Sequence, residues 1–400
     1  MAAETNRFER HARKVMIAVW LVALIAGLAL VEWWLTPAGG RHRGGALDPG
    51  PGLTRHLVLR EWRRDTDYQF RPTEARTRHP EGGLEPVYSL STDSEGFIEP
   101  ARRRKPADVS IVFLGGSTTE CMYVRPESRF PHLAARMLGA ALGVEVDGIN
   151  AGLSGNNSMH ALVLLLGKVV PLRPDFVVLM EAANDLGTLS AHGSYWVREG
   201  SLRLVEEERR SVGEAGRMLA RALLPYTSRQ LAMAWKSVRG LWRTQPARAA
   251  GTASAGANAQ AKAMADAYES SLRSFVRVAR AWGITPVLMT QVVVEPRSER
   301  ERQDAFLAPE RLAGVVQRPE VLASVHDRFN AIVREVARSE GAILVDLAAA
   351  RSWAFGDVYD ALHFTDRGSE RVAEIVAAAL KEPVAERAGA KRAAGAGGRR

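Results

Sequence analysis

Ser117 follows the run Val112-Phe113-Leu114-Gly115-Gly116, and Thr118-Thr119-Glu120 follows it. An apolar strand that meets two glycines and then a serine must turn sharply, and glycine tolerates the backbone angles of a sharp turn. Such a turn lifts a hydroxyl to the carboxyl edge of a sheet, against a helix N-terminus. An α/β enzyme keeps a nucleophile or binds an anion there. Taken alone, a capped turn explains Gly-Gly-Ser equally well. Three later segments change the balance. Asn150-Ala151-Gly152-Leu153-Ser154-Gly155-Asn156-Asn157 follows the strand-like run Val144 to Ile149. Glu181-Ala182-Ala183-Asn184-Asp185 follows the apolar run Phe176 to Met180. Asp360-Ala361-Leu362-His363 lies near the C-terminus. Each is unremarkable singly: a loop, a turn signal, and an Asp beside one of nine histidines. Three of them follow apolar strands, the fourth sits in a late loop, and one sheet edge could gather them all.

Together the four segments resemble the SGNH (GDSL-like) hydrolase family, in its membrane-anchored form. The family has a Ser turn, a Gly loop, an Asn after a strand and a late Asp-x-x-His. The resemblance matches Ser117 to the nucleophile, Gly155 to the loop glycine, Asn184 to the block-three asparagine, and Asp360 and His363 to the acid and base. It covers about residues 85 to 380. Two positions depart from the pattern: Gly116 stands where Gly-Asp-Ser has its Asp, and Ala182 where Gly-x-Asn-Asp has its first Gly. Neither change removes a group that does chemistry.

The residue types suit ester cleavage. A serine hydroxyl is a poor nucleophile until a base removes its proton. His363 can do this near neutral pH, with Asp360 fixing its tautomer. The oxyanion hole implied by the resemblance comprises the main-chain amides of Ser117 and Gly155 and the side-chain amide of Asn184. Losing one such donor typically costs about 3 kcal/mol. In this family the imidazole is sometimes held partly by main-chain carbonyls, so Asp360→Asn is expected to do less harm than His363→Ala.

At 400 residues, 46% hydrophobic and 25% charged, the chain is globular with ample core material. The single cysteine, Cys121, rules out an intrachain disulfide and reads as a small buried thiol. No Cys/His cluster has metal-ligand spacing, and no cofactor or metal is expected. The net charge of +9 comes mostly from the ends. Residues 1–14 hold four basic and two acidic groups, residues 386–400 five and one, and the remainder is only +3. No basic helix interleaved with aromatics and no nucleic-acid motif is present, so no nucleic-acid partner is expected. The run Arg102-Arg103-Arg104-Lys105 reads as a solvated face.

Val15 to Leu35 is apolar apart from Glu32, long enough to cross a bilayer. Arg7, Arg10, Arg13 and Lys14 precede it, which favours a cytoplasmic N-terminus, and Trp33 and Trp34 would sit at the far interface. An uncleaved signal anchor is expected, with residues 1–14 cytoplasmic and the catalytic domain outside the cytoplasm, on the periplasmic side of a bacterial inner membrane.

The remaining elements must position the four segments. Residues 36–84 read as linker and juxtamembrane region, and residues 85–384 as the hydrolase domain. Strands at Val109–Leu114, Val144–Ile149, Phe176–Met180, Pro286–Gln291 and Ala342–Leu347 alternate with helices at about Phe130–Leu142, Ser158–Val170, Lys262–Trp282, Val321–Ser339 and Asp366–Leu380. This alternation predicts an α/β fold with a central parallel sheet between two helical layers. A flavodoxin-like three-layer sandwich is what the resemblance implies. An insertion at about 187–261 reads as an Arg-rich helical part from Glu206 to Trp242, then a flexible Gly/Ala stretch from Ala247 to Ala261. Its aromatics Tyr195, Trp196, Tyr226, Trp235 and Trp242 either cover the site or pack a helical hairpin. Residues 293–319 form a second irregular insertion, and residues 385–400 read as a disordered basic tail.

The expected partner is an ester, with an acylated glycan suggested by location. The family implies lipases, thioesterases and carbohydrate deacylases. Transfer of the same acyl group to a sugar hydroxyl, or a non-catalytic glycan-binding role, are the alternatives.

Overall fold

An arm of short strands precedes the sheet that the sequence predicts. β1 (Arg55–Leu57) pairs antiparallel with β7 (Val205–Glu207), and β2 (Asp67–Phe70) with β3 (Tyr88–Ser91). The computed structural model describes residues 16, 19–20, 22–23, 55–72, 84–100, 107–207, 253–294, 319–350 and 352–397. The chain divides into the units Met1–Thr54 and Arg55–Arg400. In the first unit, Met16, Val19, Trp20 and Val22 are helical and exposed. The rest of the predicted membrane anchor lies outside the described residues apart from Ala23. Among the described residues no helix is long and apolar enough to cross a membrane.

Five parallel strands form the centre of the second unit: β4 (Val109–Gly115), β5 (Val146–Asn150), β6 (Phe176–Met180), β8 (Thr285–Met289) and β9 (Ile343–Val345), in the order β5-β4-β6-β8-β9. This is the 2-1-3-4-5 order of flavodoxin-like folds, with its switch point where β5 and β6 flank β4. Alternate side chains serve two cores. Val112, Leu114, Val177, Leu179 and Leu288 join one, and Ile111, Phe113, Val178, Met180, Val287 and Met289 the other. Burial on both faces explains why the strands read as continuous apolar runs.

Eight α-helices of four residues or more follow the strands among the described residues. They are α1 (Ser117–Glu120), α2 (Phe130–Leu142), α3 (Ser158–Leu164), α4 (Ala183–His192), α5 (Ala253–Ala281), α6 (Pro319–Glu340), α7 (Leu347–Ala350) and α8 (Asp366–Gly397). The core residues of α2 and α8 belong to one cluster and those of α3, α5 and α6 to the other, giving three layers. Across the second of these, Tyr268 stacks on Phe329 at 4.4 Å. Helix α3 continues through a π-helical segment, Leu165–Val169. Leu59 packs on its Gly167, and Lys168 pairs with Glu61 at 2.7 Å.

Several expectations are corrected. The domain begins at residue 55 rather than 85, because residues 55–72 pair with β7 and β3 and lie on α3. The Arg-rich part of the insertion begins in strand β7, since β1 offers Val205–Glu207 a ladder; residues 208–252 lie outside the described residues. The Gly/Ala stretch is helical from Ala253, as the first turns of α5. Residues 385–397 are also helical rather than disordered. The buried stripe Val372, Val376, Leu380, Val384 and Ala388 continues at four-residue spacing, and Arg387 and Lys391 reach buried Asp175, each at 2.7 Å. The basic run 102–105, most of 293–319, and Tyr226, Trp235 and Trp242 lie outside the described residues.

Candidate active site

β4 ends in Gly115-Gly116 and α1 starts at once with Ser117. Both glycines are needed for room. Gly116 has φ −91° and ψ −146°. A Cβ on it would lie 2.2 Å from Asn184 Nδ2 and 2.3 Å from Glu181 Oε1, and one on Gly115 would lie 2.6 Å from the Met180 carbonyl. Close approach of β6 and its following loop thus demands glycine here, in addition to the turn itself. Helix α1 is one turn long. Cys121 caps it in a left-handed conformation at φ 57°. Its thiol is buried, as expected, and burial pushes its pKa up to about 12.

The structure brings Ser117, His363 and Asp360 together across 246 positions of sequence. His363 Nε2 lies 2.7 Å from Ser117 Oγ. His363 Nδ1 lies 2.8 Å from Asp360 Oδ2 and 3.0 Å from Oδ1. Asp360 is fully buried, and its Oδ1 also accepts the main-chain N–H groups of Leu362 and His363. Burial alone would raise its pKa; the imidazole and these two donors outweigh that and hold it below the usual carboxylate range. The ring is therefore oriented by a carboxylate, and among the described residues no main-chain carbonyl bonds Nδ1. Tyr359 stacks on the imidazole, at 5.5 Å and 9°. The loop carrying the pair is fixed by buried Asp357, which binds Arg367 and Arg371.

The loop after β5 supplies Gly155. Gly155 has φ +80°, a left-handed conformation that favours glycine. Asn150 ties this loop to α1, donating to the Thr119 carbonyl at 2.9 Å and accepting from the Gly152 amide at 2.9 Å. Asn157 then caps α3 by accepting from the His160 amide. After β6, Asn184 lies in the first turn of α4. Its Nδ2 donates to the Asn156 carbonyl at 2.8 Å, which places it beside Gly155 and, through the Gly116 approach, beside Ser117. Asp185 is buried beneath and accepts from Ser158 and, at 2.5 Å, from Tyr195. Of the predicted cover aromatics, Tyr195 is thus a core residue, while Trp196 is exposed.

Chemically, this edge holds a hydroxyl beside an imidazole whose far nitrogen faces an ionised carboxylate. Beside them lie an amide side chain and a glycine turn. These are the parts for acyl transfer through a covalent serine ester. The parts sit at the topological switch point, outside the carboxyl ends of β4, β5 and β6, where open α/β sheets bind ligands.

A model of the GDSL-like Lipase/Acylhydrolase family matches residues 113–371. The chain belongs to this family. As a GDSL-like acylhydrolase it is an ester hydrolase. No curated protein matches it. Solved structures similar to it include LAE5, an α/β hydrolase from the metagenome of Lake Arreo, Spain, at 18% identity, 69% of this chain, 96% of that one and a TM-score of 0.39. Axe2, an acetylxylan esterase from Geobacillus stearothermophilus, is similar at 17% identity, 69% and 94% coverage and a TM-score of 0.37.

Several site residues escape the motif pattern. The arm before the matched region grips the Gly loop. Arg60 donates to Asn156 Oδ1 at 2.6 Å and to the Ser154 carbonyl at 3.2 Å, and Trp62 Nε1 to the Gly152 carbonyl at 3.0 Å. Gln291, just after β8, accepts from the Ala183 amide at 2.8 Å and donates to Thr118 Oγ1 at 3.0 Å. Glu120 and Glu181 are buried, each with one carboxyl oxygen lacking a hydrogen-bond partner among the described residues. Burial pushes Glu120 up to about 7, although Ser154 Oγ donates to it. Gln291 and Glu181 stand at strand ends and Glu120 closes the Ser117 block, which hinted at their places; Arg60 and Trp62 carry no sequence signal. Among the described residues there is no His/Cys/Asp/Glu group that could hold a metal ion.

Proposed function

We propose that this acylhydrolase is a membrane-anchored, extracytoplasmic serine esterase that removes O-acyl groups, acetyl above all, from an envelope or secreted polysaccharide. The observation that carries the catalytic part is the 2.7 Å contact between Ser117 Oγ and His363 Nε2, with Nδ1 held by buried Asp360. Ser117 Oγ attacks the ester carbonyl carbon and its proton passes to Nε2. The carbonyl electrons move onto oxygen, which the Ser117 and Gly155 amides and the Asn184 side chain stabilise. The intermediate then expels the alcohol, which takes the proton from Nε2 and leaves Ser117 acylated. Water repeats the sequence, releasing the acid and restoring the serine. Asp360 stays ionised and stabilises the imidazolium.

The apolar segment Val15 to Leu35 with its basic flank supports the location. The substrate follows from location: a catalytic domain tethered outside the cytoplasm meets polysaccharide esters. The test is hydrolysis of p-nitrophenyl acetate and of longer-chain esters by the full chain in detergent micelles, beside Ser117→Ala. Serine-dependent turnover that falls with acyl length supports acetyl removal. Full activity in Ser117→Ala refutes the mechanism.

A further inference from the structure

Glu181 lies at the end of β6, three residues before Asn184, and its side chain is 1% exposed. Oε1 is 3.3 Å from Asn184 Nδ2. The carboxyl also lies against the main chain of the Gly116 turn, within 2.3 Å of where a Cβ on Gly116 would stand. Its other oxygen, Oε2, has no hydrogen-bond partner among the described residues. No cation pairs with it among the described residues, and the nearest acid, Asp185, is buried as well. A bare carboxylate in such a place is costly, and a neutral acid is not. Burial first, and Asp185 second, push its pKa well above the ordinary value. The carboxyl occupies the space that Gly116 leaves open.

We infer that Glu181 is a positioning residue of the oxyanion hole, holding the Asn184 amide and the Gly116–Ser117 turn in register from below. The inference rests on the serine-esterase reading above. The Asn184 amide has two N–H groups. One is committed to the Asn156 carbonyl at 2.8 Å. The other rests on Glu181 at 3.3 Å, long enough to be weak. That second N–H turns to the oxyanion when charge develops there. Glu181 thus keeps the donor aimed without consuming it. Removing its oxygens frees the amide to rotate about its side-chain bonds, and the oxyanion loses a donor.

The test uses the full chain in detergent and p-nitrophenyl acetate. Glu181→Met keeps the volume and removes the acceptor; Glu181→Gln keeps one acceptor oxygen. Folding of each is checked by circular dichroism. The expected result is a kcat loss on the order of a hundredfold in Glu181→Met with KM within about threefold of the parent, and kcat within about tenfold of it in Glu181→Gln. In a double-mutant cycle, Glu181→Met adds less than about threefold to Asn184→Ala, because both act on one donor. Additive losses, an unchanged kcat in Glu181→Met, or Gln no better than Met each overturn the inference. If Glu181→Met does not fold, Glu181→Asp replaces it; its shorter carboxyl predicts at least a tenfold lower kcat than Gln, and equality overturns the inference. Ser117→Ala is run alongside: activity surviving in it refutes the esterase reading itself, a result distinct from these.

Discussion

Replacing Asp360 with Asn should do nearly as much damage as removing His363, and the geometry says why. Oδ1 of Asp360 accepts two main-chain N–H groups, from Leu362 and His363. An asparagine must keep its oxygen there, because its NH2 would face two donors. The NH2 then takes the place of Oδ2, 2.8 Å from His363 Nδ1. It donates to Nδ1, which forces the imidazole proton onto Nε2, the atom that must accept from Ser117 Oγ. The ring keeps its position but has the wrong tautomer. The same change in a Ser-His-Asp site costs about 10⁴-fold in kcat, or about 5.5 kcal/mol. Asp360→Ala leaves the ring free to adopt either tautomer, so it should retain about tenfold more activity than Asp360→Asn. The assay is kcat on p-nitrophenyl acetate for both variants and His363→Ala, with folding checked by circular dichroism. An Asp360→Asn enzyme within tenfold of the parent, or one more active than Asp360→Ala, refutes the reasoning. The family resemblance implies a milder Asn variant, with carbonyls sharing the ring; the carboxylate contacts at Nδ1 argue for the larger loss, and these three variants decide between the two.

Gly116→Ala should lower kcat by about a hundredfold or more with little change in KM, because the new methyl displaces Asn184; full activity would show that the approach is not tight. Arg60→Ala removes two charge-assisted bonds from the Gly loop, worth about 1.5–3 kcal/mol, and kcat/KM should fall by about 10- to 100-fold; a lower melting temperature with kcat/KM intact would make the arm merely structural. Glu120 is neutral in the fold up to about pH 7 but ionises near 4.5 when unfolded. The folded state therefore holds the extra proton between these values, and its stabilising effect is lost as pH rises through that window, on the order of 3 kcal/mol. Buried His160 and His326, depressed by burial to about 4, act in the opposite sense. The clean measurement is thus the difference in melting temperature between the parent and Glu120→Gln: the gap should shift in favour of Gln from pH 5 to 7.5, and a gap constant with pH would contradict the assignment.

The residues that gather at the candidate site were legible because each follows an apolar run or sits in a late loop. Their types, Ser, Gly, Asn, Asp and His, also mark themselves at such places. The strands were legible because a sheet buried on both faces leaves continuous Val, Ile, Leu and Phe. Glu120 and Glu181 were not, since a buried neutral acid is written with the same letter as a solvated one. Arg60 and Trp62 sit in a short polar segment without periodicity, and only the fold carries them to the Gly loop. The continuation of the last predicted helix through residues 385–397 was hidden by composition. Ala, Gly and Arg suggest disorder, yet alanine is the best helix former, and the stripe from Val372 to Ala388 was there to be counted.

The crowding at Gly116 also constrains how such a site can evolve. The block resembles a Gly-Asp-Ser form that carries an acid at the position of Gly116, whereas here that position is glycine and the acid beside it is Glu181. A side chain added at 116 while Glu181 stays meets atoms at 2.2 and 2.3 Å. Removing the Glu181 carboxyl while 116 stays glycine takes away the acceptor 3.3 Å from Asn184 Nδ2. Each single step is harmful and only the pair together is tolerated, so the two arrangements are separate adaptive peaks. A lineage holding one of them drifts to the other only through a compensated double change, and the residue at 181 should therefore co-vary with the residue at 116.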